Sequence, residues 1–348
     1  MNNNNRPLYL LMVFIIIWLI VLSFRAPVSN NNDDSKQINE YNVSGFSTDF
    51  TKIIEENMDS IVTVSTDTDT ASGFVYRQDE DTVYVLSAYH VVEGAAHINV
   101  LFGSSYQVNA MLVGYDLLSD LAVLAIKTPY EIKSLKLADS TLLHAGEFVV
   151  SIGSPVSQDF AGSVQLGMIS SPRISIENSV LIEGERQNYY LDVIELSSNL
   201  LSGYSGSPIL NMNGEVCGMN TMTLNEDISF ALTINEIKKI ADLIISGEPY
   251  EKNMLGIKAV YLKDMENYEK SNLNINIDSI NGLYVQRVID HSLAYNAGVR
   301  ANDVILSINQ IEINDFNDYL DIVYSPSESF EFTLLRNGET LVLGTNDD

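Results

Sequence analysis

The 348 residues contain a single cysteine, Cys217, so no intramolecular disulfide can form. It lies in Gly214-Glu215-Val216-Cys217-Gly218-Met219, a strand after a turn, with no second cysteine or local histidine. That setting reads as a small buried apolar residue rather than a redox or catalytic thiol. Basic residues are scarce: 19 Lys and Arg stand against 46 Asp and Glu, a formal net charge of -27. Such a surface repels phosphate backbones and excludes nucleic acid as a partner. No localised charge run marks a site for basic substrates, so the acidity reads as solubility. Among the four histidines, His97, His144 and His291 lack His or Cys partners at ligand spacing, so no metal and no cofactor is expected. Nothing in the composition suggests collagen, a coiled coil or long disorder, and 46% hydrophobic residues suffice for a packed core.

The longest uncharged run, Pro7 to Phe24, is dominated by Leu, Ile, Val and Phe, with Arg6 before it and Arg25 after it. It is near the lower length limit for a bilayer-spanning helix and longer than the usual apolar region of a signal peptide. No clear small-x-small cleavage site follows, which favours an uncleaved transmembrane signal anchor over residues 1–27 against a cleaved signal. Either choice carries the rest of the chain out of the cytoplasm. Residues 28–47 are rich in Asn, Ser and Asp and read as a polar linker.

From Thr48 a helical pattern begins, with Phe50, Ile53, Ile54 and Met58 on one side. Twelve short strand-like runs follow: Ile61–Val64, Gly73–Tyr76, Val83–Ser87, Ile98–Phe102, Met111–Tyr115, Leu121–Ile126, Phe148–Gly153, Val164–Ile169, Val193–Leu196, Pro208–Leu210, Val216–Met219 and Ile228–Leu232. That density predicts an all-β barrel or sandwich. The stretch Arg173 to Tyr190 reads as a long connection. Asn235 to Ile245 reads as a closing helix, and Ser246-Gly247-Glu248-Pro249 as a boundary before a second unit.

Three segments carry chemistry. His90 directly follows a strand, Asp116 and Asp120 precede the apolar strand at Leu121, and Ser205 stands between Gly203 and Gly206. The order His, Asp, Ser is the chymotrypsin-type order. A serine hydroxyl needs an imidazole to take its proton, and the imidazole needs a carboxylate to hold its tautomer. Glycines beside the serine let backbone N–H groups converge on a developing oxyanion. Singly, each of these residues is more often structural; their joint occurrence in order on a β-rich chain makes the nucleophilic reading the stronger one.

Together with Ser72-Gly73-Phe74-Val75, His90-Val91-Val92, Ser119-Asp120-Leu121-Ala122, Val149 to Pro155, Gly203-Tyr204-Ser205-Gly206-Ser207-Pro208 and Asn213 to Val216, the chain resembles the HtrA (Deg) family of serine proteases. The resemblance runs from Phe50 to the C-terminus. It implies a mainly β architecture: a chymotrypsin-like double β-barrel protease domain over 48–247, then an α+β PDZ domain over 252–348. It carries the triad onto His90, Asp120 and Ser205, with Asp116 as the competing carboxylate. It assigns the oxyanion donors to Gly203 and Ser205. Leu200, Leu201, Ile228 and Phe230 are expected to line an apolar specificity pocket, though barrel core is the plainer reading for some of them. The sequence departs from the family at Tyr204, usually Asn, at Ser207, usually Gly, and at Glu195-Leu196-Ser197. These departures leave oxyanion-loop geometry open and are the support for a rival reading, a catalytically silent PDZ binding protein.

The C-terminal unit resembles an HtrA-type PDZ domain through Leu255-Gly256-Ile257, Gly282 to Val288, Ala297-Gly298-Val299 and Asn302 to Asn309, with Asn302 and Gln310 where the family usually has Gly. The resemblance implies that the C-terminal peptides of unfolded proteins add as a strand there, with amides of Leu255, Gly256 and Ile257 receiving the carboxylate. It also implies a homotrimer built near Phe46 and Phe50, a protein substrate, activation by the peptides bound at the PDZ domain, and a role in envelope quality control or stress signalling at the cell inner membrane, with the catalytic and PDZ domains in the periplasm or extracytoplasmic space; a broad quality-control protease is the alternative within the family.

Overall fold

The computed structural model describes residues 50–103, 105–154, 161–182, 184–198, 203–224, 228–265, 270 and 281–345. The expected signal anchor, the polar linker, Leu200 and Leu201 lie outside the described residues. Among the described residues no helix is long and apolar enough to cross a membrane.

The described chain opens with α1 (Phe50–Asn57), which buries Ile53, followed by a 3-10 turn at Met58–Ser60. Six strands follow: β1 (Ile61–Ser65), β2 (Thr70–Asp79), β3 (Thr82–Ala88), β4 (Ile98–Phe102), β5 (Tyr106–Asp116) and β6 (Leu121–Lys127), with the short α2 (Tyr89–Val92) after β3. They close into a barrel in the order β1-β2-β3-β6-β5-β4. β1 is buried at every position and β6 at all but its last, which is why both read as unbroken apolar runs rather than alternating ones. β5 borders solvent and starts with the alternation expected of a half-buried strand.

A second barrel closes in the order β10-β11-β12-β9-β8-β7, from β7 (Phe148–Gly153), β8 (Ser163–Ile182), β9 (Glu185–Leu196), β10 (Pro208–Leu210), β11 (Val216–Leu224) and β12 (Ile228–Thr233). Here the structure corrects the sequence reading. Arg173 to Tyr190 is not an irregular connection: β8 and β9 pair from Ile169↔Leu196 out to Ile182↔Glu185. The alternation of Ile174, Ile176, Val180 and Ile182 with Ser175, Glu177 and Ser179 is the period-2 signal of that hairpin. α3 (Ile234–Ser246) closes the unit, burying Ile237, Ile240 and Ala241, and stops at Gly247 in the left-handed conformation.

The rest of the chain forms one sheet in the order β13-β14-β15-β17-β18, from β13 (Ile257–Tyr261), β14 (Leu283–Val288), β15 (Val304–Ile308), β17 (Glu331–Arg336) and β18 (Glu339–Gly344), with β16 (Ile311–Glu312) beside β15. α4 (Leu293–Asn296) and α5 (Phe316–Val323) flank it, the latter started by an Asp315–Asp318 capping box. One buried apolar cluster runs from Ile53 and Leu86 through Val193, Leu232 and Ile237 to Leu255, Val285 and Phe332, so barrels and sheet share a core.

A buried ion pair sits in that junction. Lys252, on the connection after α3, bonds Glu236 of α3 at 2.5 Å, and the Tyr324 hydroxyl donates to the same carboxylate at 2.7 Å. Burial pulls the Lys252 ammonium down, but Glu236 and Asp116 outweigh it and the net shift is upward. Glu236→Ala strands this cation in the core and should cost about 3–5 kcal/mol, read as a drop in denaturant midpoint. A double Glu236→Leu, Lys252→Met protein should lose far less, since burial without charge carries no desolvation cost.

Candidate active site

His90 enters the site because β3 ends at Ala88 and α2 turns the chain outward. Asp120 comes from the tight connection between β5 and β6, where it takes φ +56°, a left-handed conformation rare outside glycine. There it grips the start of α2 three times. Its carboxylate accepts from the His90 N–H at 2.8 Å and bonds His90 Nδ1 at 2.6 Å, and its carbonyl accepts from the Tyr89 N–H at 2.9 Å. The competing Asp116 is turned elsewhere: its Oδ2 accepts from both the amide and the hydroxyl of Ser119. The bond from Asp120 raises the His90 pKa above its ordinary value. Burial opposes this, while Asp120, Asp69 and Glu93 add electrostatic support.

Ser205 reaches the same place from the second barrel, on the loop before β10. Gly203 takes φ +94° and Gly206 φ +80°. A Cβ on Gly206 would stand 2.3 Å from the Ser72 carbonyl oxygen and 2.8 Å from the Ala88 nitrogen, so only glycine lets this loop lie against the end of β3, two residues from His90. Ser72 of β2 ties the two together. Its N–H donates to the Ser205 carbonyl at 3.1 Å, its hydroxyl donates to the Gly203 carbonyl at 2.6 Å, and its carbonyl accepts from the Ser87 hydroxyl at 2.7 Å. The Ser154 N–H donates to the same Ser72 hydroxyl at 2.8 Å. Sequence reasoning quoted Ser72 only as part of a motif; its partners lie up to 133 residues away and leave no local signal. Among the described residues no hydrogen bond joins the Ser205 hydroxyl to the His90 ring; catalytic bonds of this kind commonly tighten only in the complex with substrate.

The departures at 204 and 207 have structural explanations. Tyr204 is only 4% exposed and packs in the second barrel with Val149, Ile169, Ile209 and Cys217. Ser207 is fully buried; its hydroxyl bonds Ser151 at 3.0 Å and the Asn220 amide at 2.7 Å, pinning the loop from below. Cys217 lies in the same core, its pKa pushed up to about 12 by burial. Ile228 and Phe230 share one face of β12, Phe230 in the core and Ile228 exposed. His97 and His144 are surface residues bonded to Asp67 and Glu147. Among the described residues no three His, Cys, Asp or Glu side chains gather as a metal site.

In the C-terminal sheet, Leu255 and Ile257 are both buried, and Gly256 takes φ +76° with the Ser292 side chain 2.1 Å from where a Cβ would stand. The Leu255 N–H donates to the Asn253 carbonyl at 3.0 Å, within the turn that leads into β13. β13 is an edge strand facing α5. The β8–β9 hairpin leans into the space between them. Arg173 places its guanidinium 4.7 Å from the ring centres of both Tyr261 and Phe316, and Ser175 and Asp192 meet Ile257, Ala259 and Tyr319 around a small cavity.

A trypsin-like peptidase domain family matches residues 71–219 and a PDZ domain family residues 284–336. The class is therefore a chain with a trypsin-like peptidase domain followed by one PDZ domain. Serine protease Do-like HtrA of Bacillus subtilis (strain 168) is 30% identical over 285 residues, covering 79% of this chain and 63% of that protein. Serine protease Do-like HtrA of Lactobacillus helveticus is 31% identical over 278 residues, covering 77% and 66%. The chain thus spans less than two thirds of the length of these relatives. The solved HtrA-type protease AlgW with tripeptide shares the fold at TM-score 0.57 and 23% identity, over 84% of this chain and 95% of that one. Within that class the chain is similar to the HtrA serine proteases.

The His90–Asp120 geometry has a direct readout. His90 should titrate above about 6.5, the unperturbed imidazole value, in an NMR pH series. Asp120→Asn removes the bond and the charge, so the His90 pKa should fall; an unmoved titration would show that this pair does not set it.

Proposed function

We propose that this chain is a membrane-anchored serine endopeptidase of extracytoplasmic protein quality control or stress signalling, most like DegS in layout. The observation that carries the reading is the His90–Asp120 bond together with a glycine-flanked Ser205 that Ser72 ties to the strand leading to His90. In this reading Ser205 Oγ attacks the peptide carbonyl while His90 takes its proton, then returns it to the leaving amine; Asp120 stays ionised and steadies the imidazolium. The N–H groups of Gly203 and Ser205 stabilise the oxyanion, each at about 3 kcal/mol. Leu200, Leu201, Ile228 and Phe230 supply an apolar pocket. The packing reasons for Tyr204 and Ser207 remove the support for a silent binding protein. The tight β2–β3 hairpin, with Asp79 opposite Thr82, favours a specialised role over broad degradation.

The run Pro7 to Phe24 anchors the chain in this reading, and three copies assemble, a mass that analytical ultracentrifugation measures. A membrane-impermeant fluorophosphonate should label Ser205 in spheroplasts, and Ser205→Ala should lose both labelling and peptide hydrolysis. Labelling only after lysis would overturn the location, and near-normal hydrolysis by Ser205→Ala would end the peptidase reading.

At the PDZ domain, a C-terminal peptide adds along β13, its carboxylate received at the Leu255, Gly256 and Ile257 amides. AlgW structures with a decapeptide and a tripeptide support such binding in a related fold. Arg173 competes for that groove. Its two ring contacts, each worth about 0.5–2 kcal/mol, must be given up when a peptide enters. Arg173→Ala should therefore tighten calorimetrically measured peptide binding by roughly tenfold or more; unchanged affinity would show that the peptide leaves Arg173 in place.

A further inference from the structure

The turn that presents Asp120 is held from both barrels. From within the first, Asp116 closes Leu117 and Leu118 into a loop by accepting from Ser119 N at 2.8 Å and Ser119 Oγ at 2.5 Å, and Asp116 and Ser119 are both buried. From the second, the Tyr189 hydroxyl on β9 donates to the Leu118 carbonyl at 2.7 Å. Tyr189 is 3% exposed with its ring in the shared core, so its hydroxyl is fixed by packing. Burial, then the Asp116 and Asp120 carboxylates, hold that phenol protonated and so a permanent donor. Asp120 needs such restraint because its φ of +56° is costly for a residue with a Cβ, at about 1–3 kcal/mol.

We propose that Asp116, Ser119 and Tyr189 form a positioning clamp for the His90–Asp120 pair, rather than serving only the stability of the fold. None of them touches substrate; they act through the backbone of residues 117–120. The clamp ties the carboxylate of the triad to the β8–β9 hairpin, the element whose Arg173 occupies the PDZ groove. The placement rests on the peptidase reading, and it puts the influence of the hairpin at the acid end of the triad.

The test uses the full chain with a model peptide substrate. Tyr189→Phe deletes one hydroxyl and keeps the ring. It should lower kcat about tenfold, with KM nearly constant, the size of one lost buried hydrogen bond realised in the transition state. Asp116→Ala should fall at least as far, while Asp116→Asn, which keeps an acceptor for Ser119, should recover most of the loss. A looser Asp120 also supports the imidazolium less, so the His90 pKa should drop in Tyr189→Phe and the acid limb of kcat/KM should move to lower pH. Asp69 and Glu93 face His90 too but are untouched by these variants, so the shift isolates Asp120. Unchanged kcat and an unchanged His90 titration in both Tyr189→Phe and Asp116→Ala would overturn the clamp. So would a lower melting temperature with full kcat per fluorophosphonate-reactive molecule. Should the unmodified chain fail to react with fluorophosphonate, the peptidase reading falls, and the His90 titration by NMR still decides the clamp.

Discussion

Ser72 is the residue on which the site depends. A two-barrel hydrolase must bring its base from one barrel and its nucleophile from the other, and no local sequence can set that distance. Here one residue of β2 does so, its side chain and both flanking peptide groups bonding Gly203, Ser205, Ser87 and Ser154. Ser72 is fully buried, so each bond is made away from competing water. The geometry also explains why the loop needs glycine at 206: the Ser72 carbonyl and the Ala88 amide occupy the volume a Cβ would take.

Much of the architecture was legible because burial writes itself into local pattern. All twelve expected strands of the barrels exist, and the closing helix falls within one residue of its expected ends. The failure at Arg173 to Tyr190 is instructive. That hairpin projects from its barrel, so its faces carry Ser, Glu and Asn beside Ile and Val, and polarity masked the alternation. Two PDZ departures were legible only as substitutions. Asn302 and Gln310 stand where the family usually has glycine, and both take positive φ, +73° and +65°. Asn tolerates that region well, helped here by a bond from the Tyr284 hydroxyl; Gln310 carries more strain.

The candidate triad was legible from order and flanking residues, and the structure separates Asp120 from Asp116 by a criterion the sequence lacks. Four residues along a strand and turn point the two carboxylates in different directions, one to His90 and one back into its own turn. What stayed hidden were contacts between distant segments: Ser72 to the serine loop, Ser207 to Asn220, Tyr189 to Leu118. Each joins residue types common in any core, so pairing alone reveals them.

The same distant contacts make the β8–β9 hairpin more than a covering flap. A ligand shifts an equilibrium only as far as it discriminates between two states. The hairpin meets that condition at Arg173, since a peptide along β13 and the guanidinium between Tyr261 and Phe316 draw on the same space. Eleven residues along β9 from Glu185, the partner of Ile182 at the tip, the hairpin root at Leu196 joins the barrel, and Tyr189 lies between tip and root with its hydroxyl on the Asp120 turn. Paired strands move as a unit because sliding one past the other breaks the whole ladder. Displacing Arg173 therefore loads the hairpin as one body, and the nearest catalytic group it holds is Asp120. The serine loop, by contrast, is anchored to Ser72, Ser151 and Asn220, all on other strands. If a peptide displaces Arg173 as proposed, the contact that carries the effect toward the triad is the Tyr189–Leu118 bond beside Asp120, and the serine loop has no such link to the hairpin among the described bonds.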